Sequence, residues 1–222
     1  MVVSRLDDLD MIVQQLTNDV FTSNSYILST PASNQIWLVD LGVFDSVNHT
    51  SGNACCVSGV LLTHYHYDHI YGLNHLLEAS PKCSIFASAH TRQGLYDPKM
   101  NLSFYHEDPI VFKGTMPFEI RDGDEIDLFT GIRAIVYSTP GHNPGCLTFE
   151  IENSLFTGDA YIPFVPVVTK LKGGNKTEAA SSLRKIRSLL HPCITIFPGH
   201  GPAYTFSSRL IDDLDEQIGK LQ

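Results

Sequence analysis

Thr63-His64-Tyr65-His66-Tyr67-Asp68-His69 is the stretch whose reading decides the fold. Strand-like alternation places His64 and His66 on one side of an extended backbone, and Asp68 and His69 follow as the chain turns. Upstream, residues 56–63 are rich in Val and Leu and predict a short strand that stops at the cluster. Downstream, Ile70, Leu73, Leu76 and Leu77 recur at three- or four-residue steps before Pro81, which predicts a helix over 70–77. Strand ends of this kind are where α/β sheets place their chemistry. Imidazole mixed with carboxylate suits zinc, iron or manganese better than calcium or magnesium, which prefer oxygen donors.

The same local grammar recurs three times. Thr139-Pro140-Gly141-His142, Phe156-Thr157-Gly158-Asp159 and Phe197-Pro198-Gly199-His200 each run from an apolar segment through a glycine to a metal-ligating residue. Glycine permits the turn and close backbone approach that a crowded site needs. His64, His66, Asp68, His69, His142, Asp159 and His200 are therefore seven candidate ligands, enough for two ions with an open or bridging water position.

Working outward, apolar runs at 25–29 and 35–40 flank Thr30-Pro31-Ala32-Ser33-Asn34 and predict adjacent strands joined by a turn. Further strands are expected at 82–89, 123–128, 132–137, 145–150, 154–157 and 194–197, and a short helical turn at 91–96. Residues 110–120 are mixed, broken by Gly114 and Pro117. Amphipathic spacing predicts helices over 178–190 and 207–220. This order implies an α+β protein with two packed sheets and helices outside, and the hairpins argue against a wholly parallel sheet.

The composition is that of a globular chain with ample material for a core: 222 residues, 43% of them hydrophobic, on a scale of about 150 per domain, which favours one large domain. The net charge of −9 repels nucleic acid backbones. No apolar run approaches the roughly 20 residues that span a bilayer, and the opening Met1-Val2-Val3-Ser4-Arg5-Leu6-Asp7-Asp8 lacks signal-peptide order, so a cytoplasmic protein is expected. Five scattered cysteines without a C-x-x-C predict reduced thiols, with Cys55-Cys56 at a strand entrance and Cys146 in the core. The N-x-S/T triplets at Asn48, Asn101 and Asn175 read as chance matches.

The cluster at His64 to His69 resembles the H-x-H-x-D-H motif of the metallo-β-lactamase superfamily, and His142, Asp159 and His200 follow in the order that family requires. Asn24-Ser25-Tyr26-Ile27-Leu28 and Val39-Asp40-Leu41-Gly42 also resemble its early strands, so the likeness covers about residues 24–202. It implies a four-layer αββα sandwich over 1–222, in two similar halves of roughly 1–120 and 121–222. It further implies that His64, His66 and His142 hold one metal, that Asp68, His69 and His200 hold a second, and that Asp159 bridges them. The bridging carboxylate is similar to the glyoxalase II, lactonase and phosphodiesterase branches, and zinc β-lactamases lack it.

Two divalent ions, zinc first and iron or manganese as alternatives, imply hydrolysis of a small ester, thioester or lactone, with Asp68 orienting the nucleophile. A small phosphodiesterase, a mononuclear-iron persulfide dioxygenase and a catalytically silent metal-binding module are the alternatives. Only 22 residues follow His200, so the glutathione-binding extension of glyoxalase II itself is not expected. Tyr67 and Tyr161, beside ligand positions, are candidates for the substrate pocket, and Lys170 and Lys172 for meeting an anion. The partner implied is a small-molecule substrate, with neither nucleic acid nor membrane, and an exposed apolar stretch after Asp159 would favour a homodimer.

Overall fold

A computed structural model describes residues 11–45, 47, 57–106 and 108–221. Six strands make the first sheet, in the spatial order β1 (Ile12–Thr17), β2 (Asn24–Ser29), β3 (Ile36–Val39), β4 (Val57–Leu61), β5 (Ser84–Ala87) and β6 (Phe118–Glu119). The second sheet runs in reverse spatial order from β12 (Tyr204–Thr205) through β11 (Thr195–Pro198), β10 (Ser154–Gly158), β9 (Leu147–Ile151) and β8 (Ile132–Ser138) to β7 (Glu125–Phe129). Both sheets are mixed: β1, β2 and β3 are antiparallel neighbours and β3, β4, β5 and β6 parallel, whereas β10 and β11 form the parallel pair of the second sheet. The α-helices among the described residues include α1 (Tyr67–Ile70), α2 (Leu73–Ala79), α3 (Ala89–Gly94), α4 (Lys176–Leu189) and α5 (Ser208–Leu221).

The period-two pattern of the strands builds the layers. Tyr26, Leu28, Trp37, Val39 and Leu61 of the first sheet meet Leu128, Val136, Phe149 and Phe156 of the second in one buried cluster. Their alternating neighbours Ile27, Leu38 and Val60 face away and pack with Ile70, Leu73 and Leu76 of α1 and α2. On the other side Leu155 and Ile196 pack with Leu183 and Ile186 of α4 and Leu210 and Leu214 of α5. Helix, sheet, sheet, helix is the layering, and this α+β sandwich agrees with the architecture expected from the sequence.

Local chemistry explains most boundaries. Asn175 caps α4, its Oδ1 accepting from the Thr177 and Glu178 amides at 2.9 and 3.1 Å. Buried Asn101 donates through Nδ2 to the Gly94 and Ile110 carbonyls, both at 3.1 Å. Two of the three N-x-S/T triplets thus have structural reasons.

The helix expected over 70–77 is instead two pieces. Leu41 N–H donates to the His69 carbonyl at 2.8 Å, and Gly72 N–H to the Leu41 carbonyl at 3.0 Å, so the strand-end loop takes bonds that a continuous helix would use. A Cβ on Gly72 would lie 2.8 Å from the Phe44 amide nitrogen. Three strands were not expected, β1 and the two-residue β6 and β12; all lie at sheet edges, where exposed faces weaken the apolar alternation. The expectations for residues 1–8, Asn48 and Cys55-Cys56 fall outside the described residues. Cys83, Cys146 and Cys193 are free thiols, and no helix among the described residues is long and apolar enough to cross a membrane.

The sheets are pinned by Trp37, whose Nε1–H donates to the Leu128 carbonyl at 2.8 Å across the sandwich. Its ring lies over Gly59 on β4, where a Cβ would come within 2.3 Å of it. Gly59→Val is expected to lower the unfolding free energy by about 1–3 kcal/mol through overpacking, read as a lower urea midpoint; an unchanged midpoint refutes this account of the interface.

Candidate metal centre

Four strand ends converge on one edge of the sandwich. Asp40 follows β3 and His64 lies three residues beyond β4, its parallel neighbour; Asp159 follows β10 directly, and His200 lies two residues beyond β11, its parallel neighbour. His142 comes from the loop between β8 and β9, while Asp68 and His69 sit in α1. The edges are fastened across the sandwich: Leu147 N–H donates to the Thr63 carbonyl at 2.7 Å, Asn24 N–H to that of Gly199 at 2.7 Å, and the Tyr26 hydroxyl to that of Pro198 at 2.6 Å.

Two trios of ligand atoms result, each within 4.8 Å: His64, His66 and His142, and Asp68, His69 and His200. Asp159 stands between them, Oδ1 at 3.5 Å from His69 Nε2, and Oδ2 at 3.5 Å from His142 Nε2 and 3.6 Å from His200 Nε2. Asp68 Oδ2 lies 3.3 Å from His200 Nε2. His64, His66, His69 and His142 are buried, whereas the His200 side chain is 24% exposed and marks the open side. All seven residues expected from the sequence are in this one site.

The site fits cations on its own evidence. Nε2 of His64, His66 and His69 and Oδ1 of Asp159 are buried and make no hydrogen bond. Orphaned polar atoms are rare in folded proteins, and four that converge are a donor set awaiting an acceptor of lone pairs. The ring orientations say the same. Thr63 Oγ1 donates to Asp40 Oδ2 at 2.6 Å, so it can only accept from His64 Nδ1 at 3.0 Å. Asp40 Oδ2 also holds His69 Nδ1 at 2.8 Å, and the Val168 carbonyl holds His142 Nδ1 at 2.8 Å. These bonds keep a proton on Nδ1 of each ring, so Nε2 is the nitrogen left to face a cation, in His69 once its second proton has gone.

Asp40 also groups spatially with His64 and His69 as a third trio. Both its oxygens are already engaged, Oδ1 by the Thr63 amide at 2.7 Å, so it orients rings and is not a ligand. It does so from a left-handed φ of 54°, a strained conformation for a non-glycine residue. Close packing needs glycine too: a Cβ on Gly199 would sit 2.0 Å from Asp159 Oδ1.

Electrostatics divide the two trios. Burial pushes His64 and His66 down, and neighbouring imidazoles push them further, His66 to about 3. Burial also lowers His69 and His200, yet the carboxylates outweigh it: Asp68, Asp159 and Asp40 raise His69 to about 9, and Asp159 and Asp68 raise His200 to about 10. Burial would raise Asp68 and Asp159, but the surrounding imidazoles hold both below the ordinary range. The second trio is a place prepared for positive charge.

The surroundings correct part of the expected pocket. Tyr161 does not line it: the side chain is fully buried in the core under α4 and α5, its hydroxyl donating to Asp213 Oδ2 at 2.8 Å. It follows the candidate ligand Asp159 by two residues, but the chain has by then turned inward. Tyr67 stacks on His106, ring centroids 4.5 Å apart, next in sequence to the candidate ligands His66 and Asp68. Lys170 and Lys172 are exposed on the loop that supplies the Val168 carbonyl, with no hydrogen bond or ion pair to a site residue among the described residues. Asp40 was legible as part of an early strand but not as a site residue, because its role depends on where His69 comes to lie. A cleft of about 540 Å³ lies elsewhere, between α2 and β6; its one thiol, Cys83, is pushed up to about 12 by burial and offers no nucleophile at neutral pH.

Comparison with known proteins agrees with this geometry. The model of the metallo-beta-lactamase superfamily matches residues 18–200. A hydroxyacylglutathione hydrolase of Hydrogenovibrio crunogenus is 27% identical over 173 residues, covering 78% of this chain but 55% of that relative, so the chain spans about half its length. An uncharacterized protein of Mycobacterium bovis is 26% identical over 219 residues, which is 90% of this chain and 95% of that one. Among solved structures, the BLEG-1 B3 metallo-beta-lactamase superposes with a TM-score of 0.83 over 93% of this chain and 99% of its own, at 24% identity, and so shares the fold. The family match contains all seven ligand candidates and both converging sheet edges, and the chain belongs to the metallo-beta-lactamase superfamily.

Proposed function

We propose that the protein is a dinuclear metal-dependent hydrolase of a small ester, thioester or lactone. The observation that carries this reading is the shared carboxylate: Asp159 lies within 3.5–3.6 Å of an imidazole nitrogen of each trio, as a ligand common to two ions would. His64, His66 and His142 would hold one ion, Asp68, His69 and His200 the other. The imidazole-rich donor set suits zinc, with iron or manganese as the alternatives. Such a pair supplies an activated water near neutral pH and polarises the scissile oxygen.

The chain's own groups do the rest. Thr63, Asp40 and the Val168 carbonyl hold Nδ1 of three rings, which fixes Nε2 as the nitrogen that faces the site. Asp68 is partly exposed at the open side and is placed to orient the attacking water and to return a proton to the leaving group. The net charge of −9 fits a small-molecule substrate better than a polyanion. The relative from Hydrogenovibrio, a hydroxyacylglutathione hydrolase by name, supports the thioester class.

Protein expressed without added metal is expected to contain about two equivalents of divalent metal by elemental analysis, with thioester or lactone turnover lost on chelation and restored by zinc. A single iron with no hydrolysis overturns the reading in favour of oxygen-dependent chemistry. Asp40→Asn is expected to weaken metal affinity about 10–100-fold in competition with a chelator, by releasing the His69 ring; unchanged affinity refutes the orienting role. Because His69 at about 9 and His200 at about 10 are protonated at neutral pH in the metal-free protein, zinc uptake at pH 7 should release protons. The release should fall as pH rises through those values, measured by calorimetry in buffers of different ionisation enthalpy; release independent of pH contradicts the charge assignment.

A further inference from the structure

Two β-turns flank the metal centre, and each carries a phenylalanine where a turn of its kind favours glycine. In the first, Ser23 N–H donates to the Val20 carbonyl at 3.3 Å, and Phe21 and Thr22 between them have φ of 51° and 57°. Positive φ at both central positions is the signature of a type I′ turn, dominated by Gly, Asn and Asp. In the second, Val165 N–H donates to the Ile162 carbonyl at 3.0 Å; Pro163 and then Phe164, with φ of 65°, match a type II turn, whose third position favours glycine. These are the aromatic residues among the described non-glycine residues with positive φ. Their rings do not offset the strain by burial, since Phe21 is 59% and Phe164 50% exposed.

Both turns are tied to the site. Ser23 bridges to His200 in β fashion, and its Oγ–H donates to the Asp68 carbonyl at 2.7 Å. The Phe21 ring lies 5.2 Å from His106 and 6.0 Å from Tyr67, which the chain places between His66 and Asp68. On the other side, Ile162 and Val165 to Val168 line a small cleft together with His142 and Asp159. Phe164 N–H donates to Asp213 Oδ2 at 3.0 Å, and its ring rests edge-on against Tyr204, four residues after His200. Val165 and Val168 add exposed apolar surface beside it. Backbone strain held in place by neighbouring bonds beside a site, under rings that stay half exposed, points to a functional position.

We propose that Phe21 and Phe164 are specificity residues for the apolar acyl group of the substrate, which lies against these rings while the scissile carbonyl faces the ligand cluster. The inference rests on the hydrolytic reading above and adds to it the substrate class: esters or thioesters of medium-chain or aromatic acids, in preference to short or charged ones. Apolar contact that adjoins the reacting carbonyl discriminates by acyl size, because each buried methylene adds to transition-state binding.

The test uses the metal-loaded full chain and a series of acyl thioesters of N-acetylcysteamine from acetyl to decanoyl. The wild type is expected to favour octanoyl over acetyl in kcat/KM by tenfold or more, and Phe21→Gly and Phe164→Gly each to reduce that ratio about tenfold. Both variants should keep or raise Tm, because glycine relieves the positive φ; a merely structural role for the rings would lower it. A ratio near one in the wild type, or variants with an unchanged ratio, overturns the proposal. So does a wild-type dimer, seen by sedimentation, that Phe164→Gly dissociates, since the ring would then face a second copy. Calorimetric binding of decanoate against acetate separates the two readings. Chain-length-dependent binding lost in the variants, with no thioester turnover, sinks hydrolysis and upholds the apolar cleft, whereas turnover with flat binding and a flat ratio does the reverse.

Discussion

Buried lone pairs without partners are the constraint around which this structure is arranged. Nε2 of three histidines and one oxygen of Asp159 are buried in a common space, and none of them makes a hydrogen bond. Their burial would be heavily unfavourable unless cations complete them. Asp40 makes this arrangement rigid: from the end of β3 its carboxylate takes the Thr63 amide, the Thr63 hydroxyl and the His69 ring, coupling the end of β4 to the first turn of α1. Remove that carboxylate and neither His64 nor His69 has a reason to hold its orientation.

The sandwich serves the same end. Parallel pairing of β3 with β4, and of β10 with β11, brings like ends of both pairs to one edge, and cross-sheet bonds at Gly199, Pro198 and Thr63 align the two edges. Apolar residues at alternate positions stack the sheets, and the Trp37 bond to Leu128 limits sliding. Strain gathers at the resulting rim. Asp40, Phe21, Thr22, Phe164 and Gly158 all have positive φ within or beside the turns that carry the candidate ligands, while Leu102 and Glu152 adopt it elsewhere. A stable frame lets these few residues be held where intrinsic preference would not put them.

Much of this was legible in the chain because it is encoded locally. Apolar runs along 25–29 and 132–137 marked strands, three- and four-residue spacing marked the helix that became α4, and His64, His142, Asp159 and His200 each follow a strand end within a few residues. The less legible parts depend on partners distant in sequence. The helix expected over 70–77 breaks because the Leu41 amide takes the His69 carbonyl, a bond between residues 28 positions apart. Tyr161, two residues from a candidate ligand, turns into the core, where Asp213 on α5 offers its hydroxyl an acceptor. His106 carries no motif at all, and its stacking on Tyr67 is visible only in three dimensions.

The sequence by itself determined the inventory of candidate ligands, the two-sheet α+β class and the family resemblance, since donor type, spacing and apolar period are properties of short segments. Tertiary structure alone decided which nitrogen of each ring faces inward, that Asp40 orients and does not ligate, that Asp159 stands between two trios, and that two strained phenylalanines face outward at the rim. Each of these follows from distances between segments far apart in the chain, set by sheet register and close packing, and no local pattern of residues encodes them.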